Sequence, residues 1–138
     1  MSVFQTTVTV ESKGRGLHAI TREIEAALEG AARASGVLHL FLQHTSASLL
    51  IQENADPSAK ADLEEFIDRL VPEGESWYRH LDEGPDDTVS HMRSAVTPTS
   101  LTIPVKDGRL FMGTWQGLYL WEHRRRPHQR KIVLTLLS

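Results

Sequence analysis

The chain has 138 residues, a formal net charge of −3 and no cysteine. This length suits one domain, which we predict to span residues 1–138 and to need no covalent cross-link. The absence of cysteine excludes disulfides, thiolate metal sites and cysteine nucleophiles, and the slightly acidic charge disfavours nucleic-acid and membrane partners. No apolar run is long enough to cross a bilayer and no signal-peptide core is present, so we expect a cytoplasmic protein.

The first half of the chain predicts three strands and a helix. Residues 3–12 alternate valine with threonine, which is typical of a strand. Residues 18–36 carry apolar side chains at helical spacing and end in a glycine suited to a helix C-terminus. Residues 37–43 and 48–53 are short apolar runs separated by HTSA, which predicts two strands joined by a hairpin or a bulged turn.

The second half predicts a second helix and further strands. Asp56-Pro57 is a favourable helix start, because aspartate caps free N–H groups and proline suits the first helical position. A short helix is expected after Asp86 or Asp87, and an Asp-Gly turn and a basic turn separate predicted strands at 101–105, 110–122 and 132–137. Short connections between adjacent strands imply an α+β fold with a mostly antiparallel sheet and two main helices packed on it.

The stretch HTSASLLIQENADPS, residues 44–58, has polar side chains at both ends of an apolar middle. The hydroxyls that follow His44, which can both donate and accept, belong to Thr45, Ser46 and Ser48. The other end precedes a helix N-terminus, where free backbone N–H groups favour an anion. Local turn and cap hydrogen bonds explain the same residues equally well. A binding site and an ordinary turn therefore both stay open.

Seven histidines suggest a metal site. Imidazole binds zinc and other divalent metals near neutral pH, and without cysteine such a site must use histidine or carboxylate ligands. Three histidines border irregular, acid-bearing segments and are the better candidates: His44, His80 and His91. None of these pairs has the i, i+4 spacing of a helical metal motif, so three unrelated surface histidines remain the alternative.

Two further segments carry candidate chemistry. Gly113 and Gly117 flank the sequence TWQ in a predicted strand, and glycine in a strand marks either a close approach by a ligand or a bulge with Trp115 in the core. The acidic loop 82–91 suits magnesium beside a phosphate, although such loops are commonly solvated surface. The basic run 123–131 is too short to favour nucleic acid and receives no assigned function.

Five segments together resemble the YjbQ-type family, whose members are commonly described as secondary thiamine-phosphate synthase enzymes. They are HTSASLLIQENADPS, RLVPEG, Tyr78 with His80, GPDD with the His91 that follows, and SLTIPVKDGRLFMGTWQGLYLWEHR. The resemblance covers residues 3–137 and implies an α+β domain that assembles as a homotrimer around a site with clustered histidines. The implied reaction joins a pyrimidine diphosphate to a thiazole phosphate with release of diphosphate, using a divalent metal, Zn or Mg.

The resemblance also implies site residues. It points to His44, His80 and His91 as metal ligands, and to a set of site-lining residues: Ser46, Asn54, Asp56, Trp115, Gln116 and Glu122. From the chemistry of these side chains and of the hydroxyls after His44, we expect Asp56 and Glu122 to be the catalytic carboxylates. The expected substrate-binding residues are Thr45, Ser46, Ser48, Asn54, Trp115 and Gln116. Both polar ends of the 44–58 stretch would then be walls of one site for a phosphorylated small molecule. A metal-dependent hydrolase of a small phosphate or ester and a non-catalytic trimer that binds a small anion remain the alternatives.

Overall fold

A computed structural model describes all residues, Met1–Ser138, as two antiparallel sheets with three α-helices. The strands are β1 (Val3–Ser12), β2 (Gly16–Ala19), β3 (Gly36–Leu42), β4 (Ala47–Glu53), β5 (Ser100–Lys106), β6 (Arg109–Leu110), β7 (Gln116–Glu122) and β8 (His128–Leu137). The helices are α1 (Thr21–Ala27), which a 3₁₀ turn at Leu28–Ala31 extends, α2 (Pro57–Leu70) and α3 (Asp87–Ala95). One sheet has the order β1-β8-β3-β5-β6 and the other β2-β7-β4. The predicted α+β class with antiparallel pairing is confirmed, with two sheets in place of one.

The main hydrophobic core is formed by residues of both sheets and α1. Alternate residues of β3 point inward, and Leu38, Leu40 and Leu42 are at most 1% exposed. They meet Leu120 of the smaller sheet and Ile24 of α1 in one cluster. Each fully buried aliphatic side chain contributes about 1.5–3 kcal/mol of transfer free energy. This core holds the two sheets together and fixes where their ends lie.

The predicted helix at 18–36 is shorter in the structure. His18 and the residue after it belong to β2, where they pair with Leu120 and Tyr119 of β7, so that helix begins only at Thr21. Sheet pairing overrides the local helical pattern at this end. Gly36 is not a helix cap but the first residue of β3, and a Cβ there would lie 2.0 Å from the carbonyl oxygen of Leu137.

Two predictions, the hairpin between residues 37–43 and 48–53 and the single strand 110–122, are wrong because the chain crosses between the sheets. The strands β3 and β4 do not form a hairpin: β3 lies in the larger sheet and β4 in the smaller one, with residues 43–46 crossing between them. The predicted strand 110–122 is likewise divided, since β6 pairs in the larger sheet and β7 in the smaller. The Asp107-Gly108 turn is confirmed, with φ angles of 51° and 80° that suit a tight hairpin.

The N-terminus of α2 forms as its sequence predicts. Asp56 caps it by accepting a hydrogen bond from the Ser58 amide at 2.9 Å, and Pro57 is the first helical residue. The short helix α3 follows Asp86, as expected. No helix of the chain is both long and apolar enough to span a membrane.

Candidate metal centre

The side chains of His80, Asp87 and His91 converge at the start of α3. Their ligand atoms all lie within 4.8 Å of one another. Asp87 and His91 are four residues apart, so one face of the helix carries both. His80 comes from the irregular segment before the helix, and its Nε2 lies 2.6 Å from Oδ2 of Asp87, while Nε2 of His91 lies 3.1 Å from the same oxygen.

Neighbouring groups orient the ligands. Nδ1 of His91 donates to the backbone carbonyl of Thr45 at 2.9 Å, which leaves the lone pair on Nε2 directed at the cluster. Oδ1 of Asp87 accepts a hydrogen bond from Nη1 of Arg124 at 2.6 Å, and the aspartate side chain is only 4% exposed. Carbonyl and guanidinium partners of this kind hold metal ligands in fixed orientations.

The electrostatics of the cluster link proton binding to metal binding. The hydrogen bond with Asp87 raises the pKa of His80 above its ordinary value. Burial opposes ionisation of Asp87, but hydrogen bonds from its neighbours and the charge of Arg124 hold its pKa below the usual range. A proton on His80 therefore competes with any cation for the same nitrogen.

The donor set fits a divalent transition metal. Two imidazole nitrogens and one carboxylate oxygen suit zinc, manganese or iron(II) better than magnesium, which prefers oxygen ligands. The side chains of His80 and His91 are 50% and 40% exposed, so solvent and small molecules reach the cluster. Three protein ligands with open positions are the arrangement of catalytic rather than structural sites. Glu83 lies beside the cluster, with Oε2 3.2 Å from Nε2 of His80.

His44 does not join the cluster, and the third ligand position that the sequence assigned to it is taken by Asp87. Nε2 of His44 accepts a hydrogen bond from the Lys131 amide at 2.8 Å, so its lone pair is already used. The ring still lies near the centre, because His44 and His91 both line a groove of about 420 Å³ beside α3.

Glu122 is buried and does not approach the cluster, so its predicted catalytic role has no support within one chain. Its carboxylate is 0% exposed and accepts hydrogen bonds from Ser12 at 2.6 Å, from Arg130 and from the Arg124 amide at 3.1 Å. Burial alone would raise the pKa of Glu122, but the hydrogen bonds from Arg130 and Ser12 lower it below the ordinary value. The carboxylate joins β7 to β1 and β8.

The three hydroxyl residues after His44 have different environments. Thr45 is exposed and lines the groove beside His91, and the half-buried Ser46 contributes its carbonyl to hydrogen bonds from the His123 amide and from Arg130. Ser48 is fully buried, so it cannot contact a substrate. Its hydroxyl bonds to Thr97 and to Nε2 of His123 inside the protein.

The remaining predicted site residues lie at the opposite end of the smaller sheet: Asn54, Asp56, Trp115 and Gln116. The seven residues of β4 separate them from His44, a distance of about 20 Å at roughly 3.3 Å per residue. Asn54 donates to the Gln116 carbonyl at 3.2 Å, and the Trp115 side chain is exposed rather than packed in the core. The two polar ends of the 44–58 stretch therefore do not form walls of one site within a single chain.

The sequence indicated Asp87 only as part of the acidic loop 82–91, a candidate for magnesium, and did not indicate Arg124. The i, i+4 spacing of Asp87 and His91 within a predicted helix is the signal that joins this aspartate to the histidines. Arg124 had no such signal, because its contact with Asp87 spans 37 residues. Only the packing of the loop after β7 against the start of α3 brings them together.

Comparison with known proteins agrees with the sequence motifs and the fold. A family model described as UPF0047 protein YjbQ-like matches residues 6–138. The chain belongs to the YjbQ-like UPF0047 family. The UPF0047 protein YjbQ of Salmonella typhimurium is 48% identical over 134 residues, which cover 96% of this chain and 96% of that protein. A UPF0047 protein of Synechocystis is 48% identical over 130 residues, covering 94% and 88%.

Solved structures of similar proteins share this fold. A conserved hypothetical protein from Thermus thermophilus has a TM-score of 0.86 at 34% identity, and the match covers 96% of this chain and 99% of that one. The resemblance to the YjbQ-like family stated from the motifs is confirmed. All three residues of the candidate metal centre lie inside the range that the UPF0047 model matches.

Proposed function

We propose that this chain is a divalent-metal-dependent hydrolase of a small phosphate or other ester. The observation that carries the proposal is the convergence of His80, Asp87 and His91 within 4.8 Å at an accessible position. Two nitrogen ligands favour zinc or a similar ion over magnesium. The three ligands leave coordination positions for a substrate and a water molecule.

The residues of the chain have distinct roles in this proposal. The bound ion would supply Lewis acidity and lower the pKa of water. The Thr45 carbonyl and Arg124 keep His91 and Asp87 in ligating orientation. Glu83, with a 63% exposed side chain next to His80, is placed to accept a proton from an attacking water. The groove beside His91 holds the rest of the substrate.

Thiamine-phosphate formation is the second candidate, and it follows from the resemblance to the family. It needs an aromatic surface for the pyrimidine or thiazole ring, and the 66% exposed indole of Trp115 offers one. Trp115 precedes β7 at the Glu53 end of β4, whereas His91 bonds to Thr45 just before the other end of that strand. This reaction therefore requires a second copy of the chain to bring the indole to the ion.

A homotrimer is the proposed assembly. It is supported by an apolar row across the outer face of the larger sheet, where Val3, Leu137, Val37 and Pro104 are neighbours in register. Val3, Leu137 and Val37 are 64%, 41% and 46% exposed, and such rows are typical of interfaces. Light scattering should give three times the chain mass of 15.5 kDa, and Val37→Asp should lower it. A monomer in solution would contradict the assembly.

The function is tested with His91→Ala and a control, His39→Ala, which removes an exposed histidine from β3. His39 lies on the same face of β3 as Val37, so light scattering first checks that the control keeps the wild-type mass. After chelation and reloading, we expect wild type and the control to bind one zinc per chain and His91→Ala to lose stoichiometric binding, because one of three ligands is gone. Elemental analysis and calorimetry measure this. With zinc or manganese, wild type and the control should hydrolyse 4-nitrophenyl phosphate or 4-nitrophenyl acetate, and His91→Ala should lose this activity.

The same proteins distinguish the two reactions. Incubation with the pyrimidine diphosphate and the thiazole phosphate, followed by chromatography, detects thiamine phosphate. Product above the His91→Ala background, with no ester hydrolysis, would favour the transferase over the hydrolase. Absence of stoichiometric metal in wild type would overturn both.

A further inference from the structure

The proton on His44 has a fixed position. The Lys131 amide can only donate, so Nε2 of His44, 2.8 Å away, must be the acceptor. A neutral imidazole with its lone pair on Nε2 carries its proton on Nδ1. Burial and the nearby charge of Arg130 lower the pKa of His44, which keeps the ring neutral. Nδ1–H is therefore a hydrogen-bond donor.

Nδ1 of His44 faces another donor. It lies 3.3 Å from Nη1 of Arg130, and a guanidinium nitrogen has no lone pair to offer. The other two nitrogens of Arg130 are occupied, since Nε donates to Glu122 at 2.8 Å and Nη2 donates to Glu122 and to the Ser46 carbonyl. Arg130 is only 3% exposed, and the one partner within hydrogen-bonding distance of its Nη1 is Nδ1 of His44, which carries a proton in the tautomer that the Lys131 amide requires.

Two buried or half-buried donors that converge without an acceptor define a binding position. We propose that Nδ1 of His44 and Nη1 of Arg130 together bind one oxygen of an oxyanion, a phosphate or carboxylate group of the substrate. An oxygen about 2.8–3.0 Å from each donor satisfies both, and charge-assisted donors of this kind favour anionic acceptors. The pair gives His44 a role that fits its contacts, unlike metal ligation.

The position of the pair indicates which part of a substrate it would bind. Of the two donors, only His44 lines the groove, together with His91, whereas Arg130 is buried at 3% exposure. An anionic group bound at the His44 ring would leave the rest of the molecule in the groove beside His91. This deepens the proposed function and rests on it for the identity of the bound molecule as a substrate. The anion-binding pair itself needs no metal, because neither donor belongs to the metal-ligand set.

The test uses the full chain, treated with chelator, and two probes, inorganic phosphate and acetate. His44→Phe keeps a ring but removes both nitrogens. His44→Asn places its amide nitrogen near the position of Nδ1, so it keeps the donor but loses the contact with the Lys131 amide. His39→Phe makes the same change at an exposed residue of β3. Because His39 lies on the same face of β3 as Val37, this variant serves as the control once light scattering shows that it keeps the wild-type mass. Calorimetry measures affinity, and ¹⁵N spectra of the imidazole report which nitrogen carries the proton.

We expect wild type and His39→Phe to bind phosphate, acetate or both, and His44→Phe to bind at least about tenfold more weakly, as loss of a hydrogen bond to a charged group predicts. His44→Asn should retain most of the affinity. Binding of one probe alone would identify the anion class. Equal losses in His44→Phe and His44→Asn would show a structural role through Lys131 and overturn the proposal, as would no anion binding by wild type or a proton on Nε2. Because no metal is present, failure of the metal centre would not affect this result.

Discussion

Replacement of Glu122 by alanine is expected to lower the free energy of unfolding by about 3–5 kcal/mol. The reason is that the substitution leaves the Arg130 guanidinium buried at 3% exposure without its counter-charge. It also removes the acceptor for Ser12 and for the Arg124 amide. A charge stranded in the interior costs far more than the cavity alone.

Chemical denaturation of Glu122→Ala and of Glu65→Ala measures this effect. Glu65 forms an exposed i, i+4 ion pair with Arg69 on α2, with both side chains more than half exposed. Such a pair contributes about 0.3–0.5 kcal/mol, so the same chemical change should have little effect there. Equal small losses in the two variants would show that the Glu122 carboxylate does not hold β1, β7 and β8 together.

The stability of the protein is expected to fall by about 2–3 kcal/mol between pH 6.5 and pH 4.5 because of His123 alone. Burial lowers the pKa of His123 from 6.5 to about 3, and the nearby Arg93 adds to the effect. Between these values the unfolded chain binds a proton that the native chain does not. The stability that the neutral His123 contributes is therefore fully present above pH 6.5. As the pH falls below this value, the free energy of unfolding decreases by about 1.4 kcal/mol per pH unit.

Other groups titrate in or near this range, so the measurement is a difference between wild type and His123→Gln. The lowered pKa of His44 acts in the same direction as His123, whereas the raised pKa of His80 acts in the opposite direction. Glu122 and Asp86 have lowered pKa values and contribute only below about pH 4.5. Urea unfolding of both proteins at pH 7.5, 6 and 5 should give a smaller pH dependence in the variant. Parallel pH dependences would contradict a buried neutral His123.

His123 also shows why its neighbour Ser48 is not a nucleophile. Thr97 donates to the Arg93 carbonyl at 2.6 Å, and Ser48 bonds to Thr97, so the serine proton is directed at the threonine. Ser48 then accepts from Nε2 of His123, at 3.0 Å, rather than donating to it. A histidine that gives a hydrogen bond to a serine cannot act as its base. These hydrogen bonds instead join Ser48 of β4 to His123, the residue after β7, and through Thr97 to Arg93 of α3.

The sequence predicted local features well where local forces determine them. The capped start of α2 at Asp56-Pro57, the alternation of β1 and the Asp107-Gly108 turn all depend on neighbouring residues, and all three are confirmed. The predictions failed where the chain changes sheets, at residues 43–46 and after Leu110. The alternation of apolar side chains does not indicate which sheet a strand joins. A strand with one apolar face can pack against the same core from either sheet.

By itself, the sequence determined the family, the antiparallel α+β class and two of the three residues that converge at the candidate metal centre, His80 and His91. Only the tertiary structure decided that Asp87 completes the set and that His44 bonds to Lys131 instead. It also separated the two ends of the 44–58 stretch by the length of β4. The contacts of His44 with Lys131, of Asp87 with Arg124 and of Ser12 with Glu122 depend on distances between residues far apart in the chain. Those distances are set by the packing of two sheets against one core, and no local pattern of residues contains them.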